Sequence, residues 1–127
     1  MAAPTLKILL VEDSPILSAK LAAVLEDIEH ADLVGTVDTE ADAVRLLTTV
    51  AVDVIILDLH LRQGTGFGVM RALAPWAIKP RIVVLTNYDL PEYRDAAFSL
   101  GASEVLDKMF DYARIPGLLR ESRLQTH

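Results

Sequence analysis

The chain has 127 residues, 52% of them hydrophobic, 24% charged and 6% aromatic, which is enough for one domain core and too little for two of ordinary size. Its 18 acidic and 12 basic residues give a formal net charge of -6, and without a basic footprint to collect phosphates this argues against direct nucleic-acid binding. The absence of cysteine excludes a disulfide scaffold, a thiolate metal site and thiol nucleophile chemistry, so any metal must be held by oxygen or imidazole.

Residues 1–5 lack the basic stretch, apolar stretch and small-residue cleavage site of a signal peptide, and charges interrupt every apolar run. A cytoplasmic protein with no membrane insertion is therefore expected. The mean hydropathy of +0.35 asks for apolar residues buried on both faces of something, as in a sheet between two helical layers.

Leu6-Lys7-Ile8-Leu9-Leu10-Val11 is a nearly continuous aliphatic run ended by Glu12-Asp13, the pattern of a fully buried strand. Ser14-Pro15 then supplies an N-cap and a proline at the first helical position. Leu17, Leu21, Val24 and Ile28 recur at helical spacing behind them, which predicts an amphipathic helix. A weaker strand is expected over 33–37, near a sheet edge, and a helix over 39–50 carrying Ala43, Leu46, Leu47 and Val50. Residues 52–57 repeat the buried-strand pattern and are ended by Asp58.

Gly64-Thr65-Gly66-Phe67-Gly68 has neither the spacing of a dinucleotide fingerprint nor the lysine of a P-loop and reads as a flexible loop leading into a helix over 66–74. Trp76 reads as a packing anchor. A strand over 81–86, a helix over 91–100 and a short strand over 104–106 at the other edge follow. After Lys108 a loose turn is expected, then a short helix opening near Pro116, because Pro116 and Gly117 interrupt residues 112–123.

Strand and helix thus alternate five times, and right-handed crossovers between parallel strands put helices on both faces of the sheet. The expected fold class is α/β, a doubly wound five-stranded parallel sheet. Residues 1–127 read as a single domain with its core at about 6–120, without internal repeat, linker or output domain.

Sites in such sheets form outside the carboxyl ends of the strands, where strand order reverses. The residues there are Glu12, Asp13, Asp58, Thr86 and Lys108. Each alone has an ordinary explanation as a cap or a solvated loop residue, but five polar groups at the ends of four nearly apolar strands point to one shared site. Three carboxylates brought together repel one another. A hard divalent cation relieves them, and magnesium, which keeps several waters and shares a phosphate readily, suits the set better than a fully caged calcium. A phosphoryl group on one of the carboxylates would find the metal, the Lys108 ammonium and the Thr86 hydroxyl around its equatorial oxygens, the chemistry of an aspartyl-phosphate site.

Glu12-Asp13, Asp58 in Leu57-Asp58-Leu59-His60-Leu61, Thr86 after an aliphatic strand, and Gly101-Ala102 leading to Lys108 resemble the response-regulator receiver domain of two-component signalling, over residues 6–120. Asn87-Tyr88 and Asp107-Lys108-Met109-Phe110-Asp111-Tyr112 also look like a stand-alone, single-domain subset of it. The resemblance implies a flavodoxin-like receiver fold with strand order 2-1-3-4-5. It implies that Asp58 accepts a phosphoryl group from a histidine kinase or phosphotransfer protein. Glu12, Asp13, Asp58 and the His60 backbone carbonyl would hold Mg2+, Thr86 would bind a phosphoryl oxygen, and Lys108 would pair with the phosphate. Output would pass to an unnamed downstream protein or by transfer of the phosphoryl group onward. Because these groups act by position and charge on the chain's own aspartate, no enzyme with an independent substrate is expected, only slow self-dephosphorylation.

Two positions depart from the family pattern. Val105 occupies the place of a switch aromatic, and a β-branched side chain cannot sweep a ring between two positions. Tyr88 and Tyr112 read as ordinary amphipathic tyrosines rather than substitutes. Met109 stands where the family often has proline after a cis bond; a non-proline cis bond costs about 2.5–4 kcal/mol, so a trans bond or a strained loop is expected. The His60 side chain reads as an exposed loop group rather than a ligand.

Two competing readings keep the same fold. One is a constitutive, receiver-shaped protein-binding module indifferent to phosphorylation, which an Asp58→Asn comparison of partner affinity would separate. The other is a flavodoxin-like small-cofactor binder, disfavoured because Glu12-Asp13 would repel a flavin phosphate.

Overall fold

The computed structural model describes residues 5–87, 90–108 and 111–125, with Tyr112 and residues 122–125 as backbone only. Tyr88, Met109 and His127, the bond from Lys108 to Met109 and the side chain of Tyr112 lie outside the described residues, and the expectations placed on them with them. In chain order the elements are β1 (Leu6–Val11), α1 (Pro15–Glu26), β2 (Ala31–Val37), α2 (Glu40–Thr49), β3 (Val54–Asp58), α3 (Gly66–Leu73), β4 (Arg81–Thr86), α4 (Pro91–Ser99), β5 (Glu104–Asp107), a 3-10 turn (Tyr112–Arg114) and α5 (Ile115–Gln125).

All strand pairings are parallel, in the order β2-β1-β3-β4-β5. The two weak strand signals are thus the two edges. The alternation of side chains along each strand splits the core. Ile8, Leu10, Val54, Ile56, Val83 and Leu85 pack under Leu21 and Leu25 of α1 and Ile115, Leu118 and Leu119 of α5. Leu9, Val11, Ile55, Leu57, Ile82 and Val84 pack under Ala43 and Leu47 of α2, Val69, Met70 and Leu73 of α3 and Ala97 of α4. The expected doubly wound α/β fold is therefore present, with α1 and α5 on one face and α2, α3 and α4 on the other.

Local signals start the helices. Ser14 Oγ accepts from Leu17 N at 3.3 Å, Thr39 Oγ1 from Asp42 N at 3.1 Å and Thr65 Oγ1 from Gly68 N at 3.1 Å, each satisfying one orphan donor of a first turn. One expectation is corrected. The apolar stripe of α1 runs through Leu25, fully buried, while Val24 is only half-buried, because a helix this apolar leaves the choice of buried face to its neighbours. The last helix opens near Pro116 as expected: Pro116 and Gly117 fall in the first turn of α5, where proline costs no hydrogen bond, and the helix runs on to Gln125.

Candidate functional site

The end of β1 lies beside the end of β3, with Val11 opposite Leu57, and strand order reverses there, because β2 lies on one side of β1 and β3 on the other. Glu12 and Asp13 leave β1 at this point, Asp58 is the last residue of β3, Thr86 the last of β4, and Lys108 follows β5. All five predicted side chains stand on this one rim. Glu12, Asp58, Thr86 and Lys108 are buried and Asp13 is exposed, so the rim has a dry floor and one wet carboxylate at its mouth.

Lys108 organises the floor. Its Nζ donates to Asp58 Oδ2 at 2.8 Å and to Glu12 Oε2 at 3.0 Å, while its backbone N–H donates to Thr86 O at 3.0 Å. Asp107, just before it, is tied to Asp111: Asp107 N–H donates to Asp111 Oδ2 at 2.9 Å and Asp111 N–H to Asp107 O at 3.0 Å. The other Asp58 oxygen, Oδ1, accepts from His60 N–H at 3.1 Å, and Ser14 N–H donates to Glu12 Oε2 at 3.0 Å.

One ammonium does not balance three carboxylates. Burial pushes the Asp58 carboxyl up, to about 8, against the pull of Lys108, and the Asp13 and Glu12 carboxyls beside it add to the rise. Burial also acts upward on Asp13, but its contacts with Asp58 and Glu12 and the charge of Lys108 outweigh it, and Asp13 titrates below the usual carboxylate range. For Lys108, burial works against the ammonium and is outweighed by Asp58 and Glu12, so its pKa stands above the ordinary lysine value.

The surplus negative charge fits a divalent cation. Carboxylate oxygens of Glu12, Asp13 and Asp58 lie within 4.8 Å of one another. Glu12 Oε1 is 2.8 Å from Lys108 Nζ but out of line for a hydrogen bond, and it is the buried side-chain oxygen left without one among the described residues. An unsatisfied buried acceptor beside two further carboxylates is the donor set a hard, oxygen-seeking ion requires.

The remaining sequence expectations sort themselves here. The His60 side chain is exposed and meets the Tyr93 ring edge-on at 6.1 Å. Val105 is buried in β5, inside the core shared with α2, α3 and α4. Trp76 packs against that same core from its margin.

The glycines of the loop over 64–68 meet specific steric demands. Gly64 holds φ +78°, and a Cβ on Gly66 would stand 2.4 Å from the Asp58 carbonyl oxygen. The loop is also stitched to the start of α2. Arg62 N–H donates to Asp38 O at 3.0 Å, its guanidinium grips the Asp38 carboxylate at 2.9 and 3.3 Å, and Glu40 N–H donates to Gln63 O at 3.0 Å. Sequence reasoning missed Asp38, Glu40 and Arg62, since no local pattern joins residues more than 20 positions apart.

A flavodoxin-like α/β sheet with acids, a threonine and a lysine gathered at its switch point is the class of protein that fold and site define. Residues 8–120 match the response regulator receiver domain, and the chain belongs to that family. It is 31% identical over 120 residues to the sensory transduction protein LytT of Bacillus cereus, an alignment covering 94% of this chain and 48% of that protein. It is also 35% identical over 104 residues to the protein-glutamate methylesterase/protein-glutamine glutaminase 5 of Myxococcus xanthus, covering 81% and 30%. The chain thus spans at most about half the length of these two relatives. Among solved structures, the response regulatory domain of protein mrkE from Klebsiella pneumoniae superimposes with a TM-score of 0.85 at 26% identity, covering 94% of this chain and 97% of that one. The signal receiver domain of NarL from Mycobacterium tuberculosis gives 0.86 at 21% identity over 94% and 97%. Among the described residues no helix is long and apolar enough to cross a membrane.

Proposed function

We propose that this receiver is a phosphorylatable signalling module of the cytoplasm that takes a phosphoryl group onto Asp58 from the phosphohistidine of a histidine kinase or phosphotransfer protein. It then alters its contacts with a downstream protein or passes the phosphoryl group on. The observation that carries this reading is Asp58 itself: a buried carboxylate at the switch point, one oxygen 2.8 Å from the Lys108 ammonium and the other held by His60 N–H.

A carboxylate oxygen of Asp58 attacks phosphorus, the P–N bond to the donor breaks, and the leaving imidazole takes up a proton. Asp13, Asp58, Glu12 and the His60 carbonyl would hold Mg2+, which when bound offsets the charge on the phosphoryl oxygens. Lys108 exchanges part of its pairing with Asp58 for the phosphoryl group. Thr86, buried at the end of β4, offers its hydroxyl to another phosphoryl oxygen. These residues work by position and charge on the chain's own aspartate, so the domain turns over no independent substrate. With Val105 packed in the core, the response to phosphate runs through movement of β4, α4 and the Lys108 segment, not through a swinging ring on β5.

The test is the intact mass of wild type and Asp58→Asn after exposure to a small acyl phosphate or a phosphorylated kinase, with magnesium and with a chelator. One phosphoryl addition that requires both Asp58 and magnesium is expected. Equal addition to Asp58→Asn, or none from either donor, would overturn the reading.

A further inference from the structure

We propose that Glu40, at the start of α2, is a positioning residue for the Asp58 site, acting as the missing member of the N-terminal cap of α3. This rests on the function proposed above.

In a capping box the N-cap hydroxyl accepts from the N3 backbone N–H, and a Glu or Gln at N3 reaches back to the N-cap N–H. Helix α3 has the first half: Thr65 Oγ1 accepts from Gly68 N–H at 3.1 Å. It cannot make the second half, because position N3 is Gly68 and has no side chain. Glu40 makes it from another helix, its Oε1 accepting from Thr65 N–H at 3.0 Å. The glycine is what admits that carboxylate. A Cβ on Gly68 would stand 2.0 Å from Glu40 Oε1, and none of the other described glycines faces a carboxylate oxygen this closely. Helix α3 therefore carries a reciprocal cap split between two segments of chain, with the carboxylate also placed at the positive end of the helix.

What the cap holds is the loop of the site. Thr65 pairs across the loop with His60, and Gly66 N–H donates to Leu59 O at 3.0 Å. His60 N–H in turn donates to Asp58 Oδ1 at 3.1 Å. Between the Glu40 and Asp58 carboxylates thus lie the bond to Thr65 N–H, the Thr65–His60 bridge closed by Gly66 N–H on Leu59 O, and the bond from His60 N–H. Such a chain sets the height of the Asp58 carboxylate and the direction of the His60 carbonyl, both placed above among the groups holding the cation. Outer partners of metal-binding groups commonly act in this way.

The experiment compares wild type with Glu40→Ala, Glu40→Gln, Gly68→Ala and the double variant Glu40→Ala/Gly68→Ala. A control, Asp53→Ala, loses a hydrogen bond from Lys7 N–H at the opposite end of the sheet. Magnesium affinity, the rate of phosphorylation by acetyl phosphate and the melting temperature are measured on each, the first two well below every melt. Glu40→Ala is expected to weaken magnesium binding by about tenfold and to slow phosphorylation. Glu40→Gln, which keeps an acceptor oxygen, restores both to near wild type. Gly68→Ala, which expels the carboxylate while leaving a better helix former, reproduces the defect and adds nothing in the double variant. Asp53→Ala lowers the melt without touching affinity. If Glu40→Ala and Gly68→Ala lower only the melting temperature, or if Glu40→Gln behaves as Glu40→Ala, the positioning role is overturned while the function stands. A wild type that neither binds magnesium nor takes up phosphate overturns both.

Discussion

Asp58 stands between two demands. Burial at the end of β3 favours its neutral acid, with a pKa of about 8, while the chemistry asked of it needs the carboxylate. On the function proposed above, a bound cation would remove the conflict by taking the place of the proton, so magnesium binding and deprotonation of Asp58 would be coupled. The sign follows from the raised pKa. Below about pH 8 the proton must leave before the ion enters, so affinity is expected to rise by nearly tenfold per pH unit on the acid side and to level off above about pH 8. Calorimetry in buffers of different ionisation enthalpy should count roughly one proton released near pH 6 and almost none near pH 9. Asp58→Asn should flatten this profile. Without the ion, the same raised pKa makes the Asp58 contribution to folding stability fullest below its unfolded value, near 3.8, and lost as pH rises through about 8. Lys108, also raised, loses its contribution only at more alkaline pH. Asp13, lowered, works in the opposite direction and loses its share below the ordinary carboxylate range.

Among the elements, α4 is held differently from its neighbours. Of the side chains described in it, only Ala97 is buried, and its N-cap, Leu90, makes no side-chain hydrogen bond, whereas α1, α2 and α3 each begin on a hydroxyl cap. Its ties are side-chain contacts along its length: Arg94 donates to Val105 O at 3.2 Å and lies 5.9 Å over Phe98, and Tyr93 meets His60 and Phe67. An element with little buried surface and an N-cap residue that offers no side-chain bond is the one that the proposed phosphorylation would shift at least cost. Giving position 90 a hydroxyl should show how much of the hold on α4 comes from its first turn. Leu90→Ser is expected to raise stability by about 1 kcal/mol, seen in urea unfolding as a higher midpoint with an unchanged slope. A neutral or negative effect would mean that α4 is held by something other than its own first turn.

At the scale of the whole molecule, five side chains from the ends of four strands meet on one rim, so anything that binds there binds only the folded chain. Magnesium at a hundredfold excess over its Kd is expected to stabilise the fold by about 2.7 kcal/mol, a rise of roughly 10 °C in Tm. Asp13→Asn, which removes a carboxylate from the mouth of the site without disturbing the Lys108 pairings, should lose most of that rise. A Tm indifferent to magnesium in the wild type would remove the cation from the site.

Much of this architecture is legible in the chain read alone, because its signals are local. An aliphatic run of strand length, a hydroxyl before a helix and a proline in a first turn all act over a few residues, and acids or a lysine at the end of an apolar run advertise a site wherever the strand is placed. The five site residues and the sheet with helices on both faces belong to that part. Tertiary structure decided what depends on residues far apart in sequence. Leu25 instead of Val24 faces the sheet because α1 is apolar enough that its neighbours choose the face. Gly64, Gly66 and Gly68, which look like a flexible tract in isolation, are demanded by a positive φ, by the Asp58 carbonyl and by the Glu40 carboxylate in turn. The Lys108 bonds to Asp58 and Glu12 span 50 and 96 positions, and only the assembled sheet, with β1, β3 and β4 side by side and β5 at the edge, makes those residues neighbours.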